Sequence, residues 1–168
     1  SSITALTWLS NTTGSTTTFN FQNIEPQVGA SWPGSVQSFG HAILFANSQG
    51  VWALVGGTAT KLSDNLDGIF SNATFSTSNP LLFPTAAVAT IFGVNVYMLL
   101  VDSLDYLNVQ RRYLVVFGAK KWFVASQVSD MLRVWPQIMN SVLTAWGTDG
   151  RNLFKLFAQS SDTLTKTI

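Results

Sequence analysis

The chain has 168 residues, a formal net charge of +1 and no cysteine, so disulfides and thiolate chemistry are excluded. Charged residues make up 10 % of it, against about 25 % in ordinary globular domains, while hydrophobic residues stand at 46 %. The near-neutral total argues against bulk attraction to nucleic acid or anionic lipid. Ser, Thr, Asn and Gly replace the missing charge, which suits β structure with many turns and surfaces that other proteins cover. The plentiful Phe, Trp, Val and Leu argue against disorder, and the length suffices for one domain with a sizeable core. The opening Ser-Ser-Ile, without Met, reads as a fragment or a processed product. No basic stretch precedes the first scattered apolar residues, so no signal peptide is expected there.

In chain order, residues 3–10 and 16–23 are Thr-rich strands around Asn11-Thr12-Thr13-Gly14, with Phe19 and Phe21 on one face. Residues 25–34 are a loop broken by Pro26, Gly29, Pro33 and Gly34. Residues 41–46, 51–55 and 58–62 follow as three strands. Asn47-Ser48-Gln49-Gly50 and Gly56-Gly57 supply the turns between them. Residues 71–84 are a second connector. Residues 81–101 carry no charge and are about long enough to span a bilayer. Pro84, Gly93, Asn95 and the β-branched content divide them instead into two buried strands around Gly93-Val94-Asn95. Residues 102–108 form the far turn. YLVVF and WFVAS, from Tyr113 to Ser126, make a hairpin about Gly118-Ala119-Lys120-Lys121. Between 127 and 140, Val128, Met131, Leu132 and Trp135 stand at helix-like spacing until Pro136 interrupts, giving a short helix or an irregular connector. Residues 142–146 and 153–158 are strands around Gly147-Thr148-Asp149-Gly150, and 163–168 alternate as a final strand.

Three stretches share one plan: ILFANSQGVWALV, YLVVFGAKKWFVA and LTAWGTDGRNLFKLFA. Each has an apolar strand, a Gly-containing turn and a strand with an aromatic near its start (Trp52, Trp122, Phe154). The expected fold is all-β. Antiparallel meanders form one domain, 1–168, with about three blade-like units at 1–70, 86–126 and 142–168. They are arranged as a partial β-propeller, or alternatively as a β-sandwich of ordinary hairpins.

The residues from Asn23 to Gly29, Pro33 to Val36, Ile43 to Val51 and Lys61 to Ile69 run in an order that resembles the β-propeller virion proteins of tailed bacteriophages. The Gln110 to Gln127 and Trp146 to Phe157 hairpins resemble later hairpins of that family. The first 20 or so residues carry no such match, and the chain is shorter than a full six- or seven-bladed propeller. The resemblance implies a structural protein of the virion, made in the host bacterial cytoplasm, in the tail, head–tail junction or stabilising ring. It implies portal, adaptor or tail proteins as partners, a homo-oligomeric ring, and proximity to packaged DNA. It implies neither membrane insertion, a cofactor nor an enzyme.

Catalytic constellations are thin. His41 is the one histidine, so a Ser-His-Asp triad could use no other, and a strand-end surface role suits it better. One His and no Cys argue against zinc. Asp64-Asn65-Leu66-Asp67-Gly68 lacks the spacing of a calcium loop, and Asx-turn capping accounts better for both aspartates. Glu25, Asp64, Asp67, Asp102, Asp105 and Asp149 are the carboxylates a glycosidase could draw on, but most sit in turn-like contexts. Arg111-Arg112 and Lys120-Lys121 make either a basic spot facing DNA or, with Asp102 and Asp105, a neutralised surface network. Phe45, Trp52, Phe92, Phe117, Phe123, Phe154 and Phe157 are expected in the core. Trp8, Trp32, Trp135 and Trp146 lie near loops or strand ends and, with Arg111 and Arg112, are the candidate interface residues. Two rivals to an assembly role stand beside it: a carbohydrate- or receptor-binding module using Trp32 or Trp146, and a glycosidase-type propeller.

Overall fold

Turn chemistry cuts the apolar runs into short strands. The computed structural model describes residues 3–9, 18–25, 28–73, 83–126, 128 and 131–157. Strands β1 (Ile3–Leu9) and β2 (Thr18–Glu25) pair as an antiparallel hairpin. The first meander comprises β3 (Gln37–Phe39), β4 (Ala42–Asn47), β5 (Gly50–Val55) and β6 (Thr58–Lys61). A short helix, α1 (Asp67–Ser71), follows it. The second meander comprises β7 (Thr85–Ile91), β8 (Val94–Leu104), β9 (Gln110–Gly118) and β10 (Lys121–Ala125). The third comprises β11 (Arg133–Met139), β12 (Val142–Thr148) and β13 (Leu153–Lys155). Among the described residues, every pairing between named strands is antiparallel and joins chain neighbours.

Four of the tight turns hold both central residues at positive φ: Gly56-Gly57, Phe92-Gly93, Ala119-Lys120 and Asn140-Ser141. That backbone matches the right-handed twist of the strands it joins. Only three of these eight residues are glycine, so the other five accept a left-handed conformation that costs about 1–2 kcal/mol each.

The second meander is the centre of the molecule, and strand alternation shows why. Ala87, Ala89, Val96, Met98, Leu100, Leu114 and Val116 point to one face. There they pack with Val128, Met131, Val134, Ala145 and Leu156 of the third meander and its approach. Ala86, Tyr97, Leu99, Val101 and Val115 point to the other face, against Leu44, Ala46, Val51, Ala53, Trp32 and Phe70. A strand covered on both faces needs apolar residues at every position, not every second one. That is why the uncharged run at 81–101 is so long, and β8 stays buried from Val96 to Ser103. Truncating Met98 or Leu114 to Ala would remove about 2–5 kcal/mol. The three sheets stack without closing on one another, and no described helix is long and apolar enough to cross a membrane.

Polar joints fix the stack. Ser35, in a 3-10 turn at Pro33–Ser35, is fully buried. Its hydroxyl donates to Trp32 O (2.6 Å) and accepts from Ala46 N (2.8 Å). Its carbonyl accepts from the Tyr97 hydroxyl (2.8 Å), joining the first meander to the second. The Trp122 indole donates to Leu62 O (2.8 Å), and the Gln37 amide donates to Ala86 O (2.9 Å).

Several expectations change. The helix-like spacing at 127–140 gives a strand, β11. Pro136 is tolerated because β11 is an edge strand, where the missing N–H faces no partner. The hairpin turn expected at Gly93-Val94-Asn95 is Phe92-Gly93. Phe92 therefore sits at a turn tip, 68 % exposed, and Phe123, on the sheet-edge strand β10, is 58 % exposed, so neither is core. The far turn begins later than expected, since β8 runs to Leu104 and takes Asp102 into the strand. The final strand expected at 163–168 lies outside the described residues.

Candidate functional site

Lys61, at the end of β6, donates to Asp67 Oδ1 (2.6 Å) and lies 3.6 Å from Asp64. The Asp67 hydrogen bond holds the Lys61 ammonium above its ordinary pKa, against the opposing effect of burial. Neither aspartate caps a helix: Ser63 and Leu66 occupy the N-cap positions, without a side-chain bond. Asx capping is therefore replaced by an ion pair across the turn. Ser63, fully buried, instead accepts from Val51 N (2.8 Å).

Asp102 and Arg112 face one another across β8 and β9. Their side chains are 4 % and 7 % exposed and meet as a two-pronged pair, at 2.6 and 2.8 Å. The third guanidinium nitrogen donates to Met131 O (2.6 Å), tying in the approach to β11. Arg112 is thus an internal strut, with its charge answered inside the fold. Arg111 points out and donates to Asp105 (3.0 Å). Asp105 also accepts from Leu107 N (2.8 Å) and Val109 N (2.9 Å). The Val109 amide leads in holding its carboxyl below the ordinary value. Lys120 and Lys121 lie at the opposite end of β9 from Arg111 and Arg112, so the four cations do not form one spot.

Asp149 shapes the turn between β12 and β13. It accepts from Asn152 N (2.6 Å), Asn152 Nδ2 (2.9 Å) and Arg151 N (2.8 Å). Those donors, the Asn152 amide first, hold its pKa down to about 2. His41 is exposed in the turn after Gly40. Among the described residues no three His, Cys, Asp or Glu side chains gather as a metal site.

The tryptophans divide. Trp32 is 6 % exposed and stacks on Phe70, with ring centroids 6.2 Å apart, inside the first meander's core. Its ring packs into that core. The Trp8 backbone stands opposite Phe19 in the hairpin, and its side chain lies outside the described residues. Trp135 and Trp146 are cross-strand partners on β11 and β12. Alternation places them on the face of the third meander turned away from the centre. Met139, Val142 and Leu153 share that face, at 41 %, 47 % and 68 % exposure. The Trp146 indole N–H is buried with no acceptor among the described residues.

Sequence reasoning missed one feature. A shallow cleft of about 360 Å³ lies between α1 and the outer ends of β8 and β9. Its polar groups belong to Asn65, Asn72, Ser103, Tyr106 and Tyr113. Tyr106, 92 % exposed, stands in the turn that Asp105 organises. The signal was present as an aromatic in a turn, DSLDYLN, but the residues opposite it come from a segment some 40 positions earlier, which only the fold brings near.

No family model matches the chain, and neither a curated protein nor a solved structure is detectably similar to it.

Proposed function

We propose that this chain is a structural component of a tailed-phage particle, a propeller-like wedge that assembles in the tail or head–tail junction. The supporting observation is the outward face of the third meander. The central meander shows how such a face is used in this fold, since both of its faces are sealed by a neighbouring sheet. The third meander packs one face on the centre through Val134, Ala145 and Leu156, and its other face carries Trp135, Trp146, Met139, Val142 and Leu153. Paired aromatics with Met and aliphatic side chains around them, and Arg133, Gln137 and Lys155 on the same face, are the composition of a protein–protein contact. Trp135 and Trp146 are the anchors in this reading; Trp32 and Arg112 act inside the wedge, and Arg111 stays at its solvent boundary. The ordered motifs that resemble phage virion proteins add the setting, with further copies and portal, adaptor or tail proteins as partners.

Light scattering over a concentration series tests it. The mass is expected to rise to a fixed multiple of the single chain. Leu153→Lys, at a position 68 % exposed, is expected to lower that mass while leaving the circular dichroism spectrum unchanged. A single-chain mass at every concentration would count against assembly.

A further inference from the structure

We propose that the cleft between α1 and the β8–β9 turn binds a neutral carbohydrate. Its size, about 360 Å³, lies within the range of small-molecule sites, at the lower end. Its chemistry is selective. Among the described residues, none of the side chains lining it is charged. The charges around it are already answered: Lys61 by Asp64 and Asp67, Arg111 by Asp105, and Arg112 by Asp102. Phosphate, sulfate or carboxylate ligands would find no cation in the cleft, so a nucleic acid or an acidic glycan is disfavoured.

What the cleft does offer is an aromatic plate and free amides. Tyr106 presents its ring almost entirely to solvent, although a large aromatic is usually at least half covered. The side-chain amides of Asn65 and Asn72 and the phenols of Tyr106 and Tyr113 have no protein hydrogen-bond partner among the described residues. An apolar sugar face on a ring, with hydroxyls bonded to amides that both donate and accept, is the complementary shape and polarity.

The walls are held before any ligand arrives. Leu104 N donates to Asn72 O (3.0 Å), and Ala73 bridges Ser103, so the end of α1 is tied to β8. Phe70 anchors the same helix from below, fully buried. The Asp105 carboxylate accepts the Leu107 and Val109 amides and the Arg111 guanidinium, which sets the turn that carries Tyr106. The backbone of both walls is therefore set in advance, which lowers the ordering cost of binding. This site is separate from the outward face of the third meander, so its test stands or falls apart from assembly.

The experiment is a titration of the 168-residue chain, followed by two-dimensional NMR, with neutral hexose and N-acetylhexosamine oligosaccharides and one sialylated oligosaccharide as the charged probe. A neutral oligosaccharide is expected to shift the signals of Asn65, Asn72 and Tyr106, and the sialylated one to bind more weakly. Tyr106→Ala is expected to weaken binding about tenfold or more, without change in melting temperature, and Tyr106→Phe to retain most of it. No neutral oligosaccharide binding, preference for the sialylated probe, or binding that survives Tyr106→Ala would each overturn the proposal.

Discussion

Arg112 and Asp102 illustrate how a residue that reads as surface charge can be structural. Both side chains are almost fully buried, and the guanidinium reaches the backbone of a third segment at Met131. Removing one member of a buried pair leaves the other as an uncompensated charge. Arg112→Ala and Asp102→Ala should each destabilise the chain by about 3–5 kcal/mol in urea denaturation, and the double variant by less than the sum. Additive losses would contradict the pair. Asp149 carries a different expectation. Its folded pKa, about 2, lies below the ordinary 3.8, so the native turn favours the ionised carboxylate. That stabilisation is complete above the ordinary value and is lost as pH falls toward about 2. The stability gap between wild type and Asp149→Ala, followed by acid titration, should therefore narrow across that window; a constant gap would remove the carboxylate from the account. At this scale the sequence was a partial guide. It grouped Arg111 and Arg112 as equals, because nothing in a dipeptide says that one side chain of a strand faces inward and the next faces water.

Hairpins were legible where turn signals and strand composition agreed. Asn47-Ser48-Gln49-Gly50 and Gly56-Gly57 mark the turns of β4, β5 and β6 directly, and the 81–101 run resolves into β7 and β8 once its Gly is weighed against its hydropathy. β11 was not legible. Its turn to β12 is Asn140-Ser141, with no glycine to announce two left-handed residues, and Pro136 argues against a strand until the strand is known to be an edge. β3 has only three residues, too few for a period to show. The strained turns give a prediction at this scale. Replacing Ala119-Lys120 by Asn-Gly should stabilise the chain by about 1 kcal/mol, since both positions have positive φ. Thermal melting of the variant checks it, and a lower melting temperature would show that the turn is held by contacts and not by backbone preference. The register expected for β7–β8 was one residue late. Glycine serves as either the first or the second residue of such a turn, and here it is the second.

For the whole molecule, the layering follows from composition more than from any motif. Few charges and many small or β-branched apolar residues allow a sheet to be covered on both faces, and the central meander is covered in that way. The residues that carry the resemblance to phage proteins, among them Ser35, Asn47, Lys61, Ser63 and Asp67, turn out to be joints. Asn47 donates to Gly29 O (3.1 Å) and accepts from Gln49 N (2.9 Å) and the Trp52 indole (3.2 Å). Those contacts explain why a sequence would hold them for folding alone, so assembly must be tested on the surface. The cleft was beyond reach of sequence reasoning because its two walls belong to separate segments. Negative-stain imaging of the concentrated chain is the most direct test of the building-block reading. Closed rings of a fixed copy number are expected, and Trp135→Lys and Leu153→Lys should disperse them. Fields of isolated single chains at every concentration, unchanged by those substitutions, would contradict it.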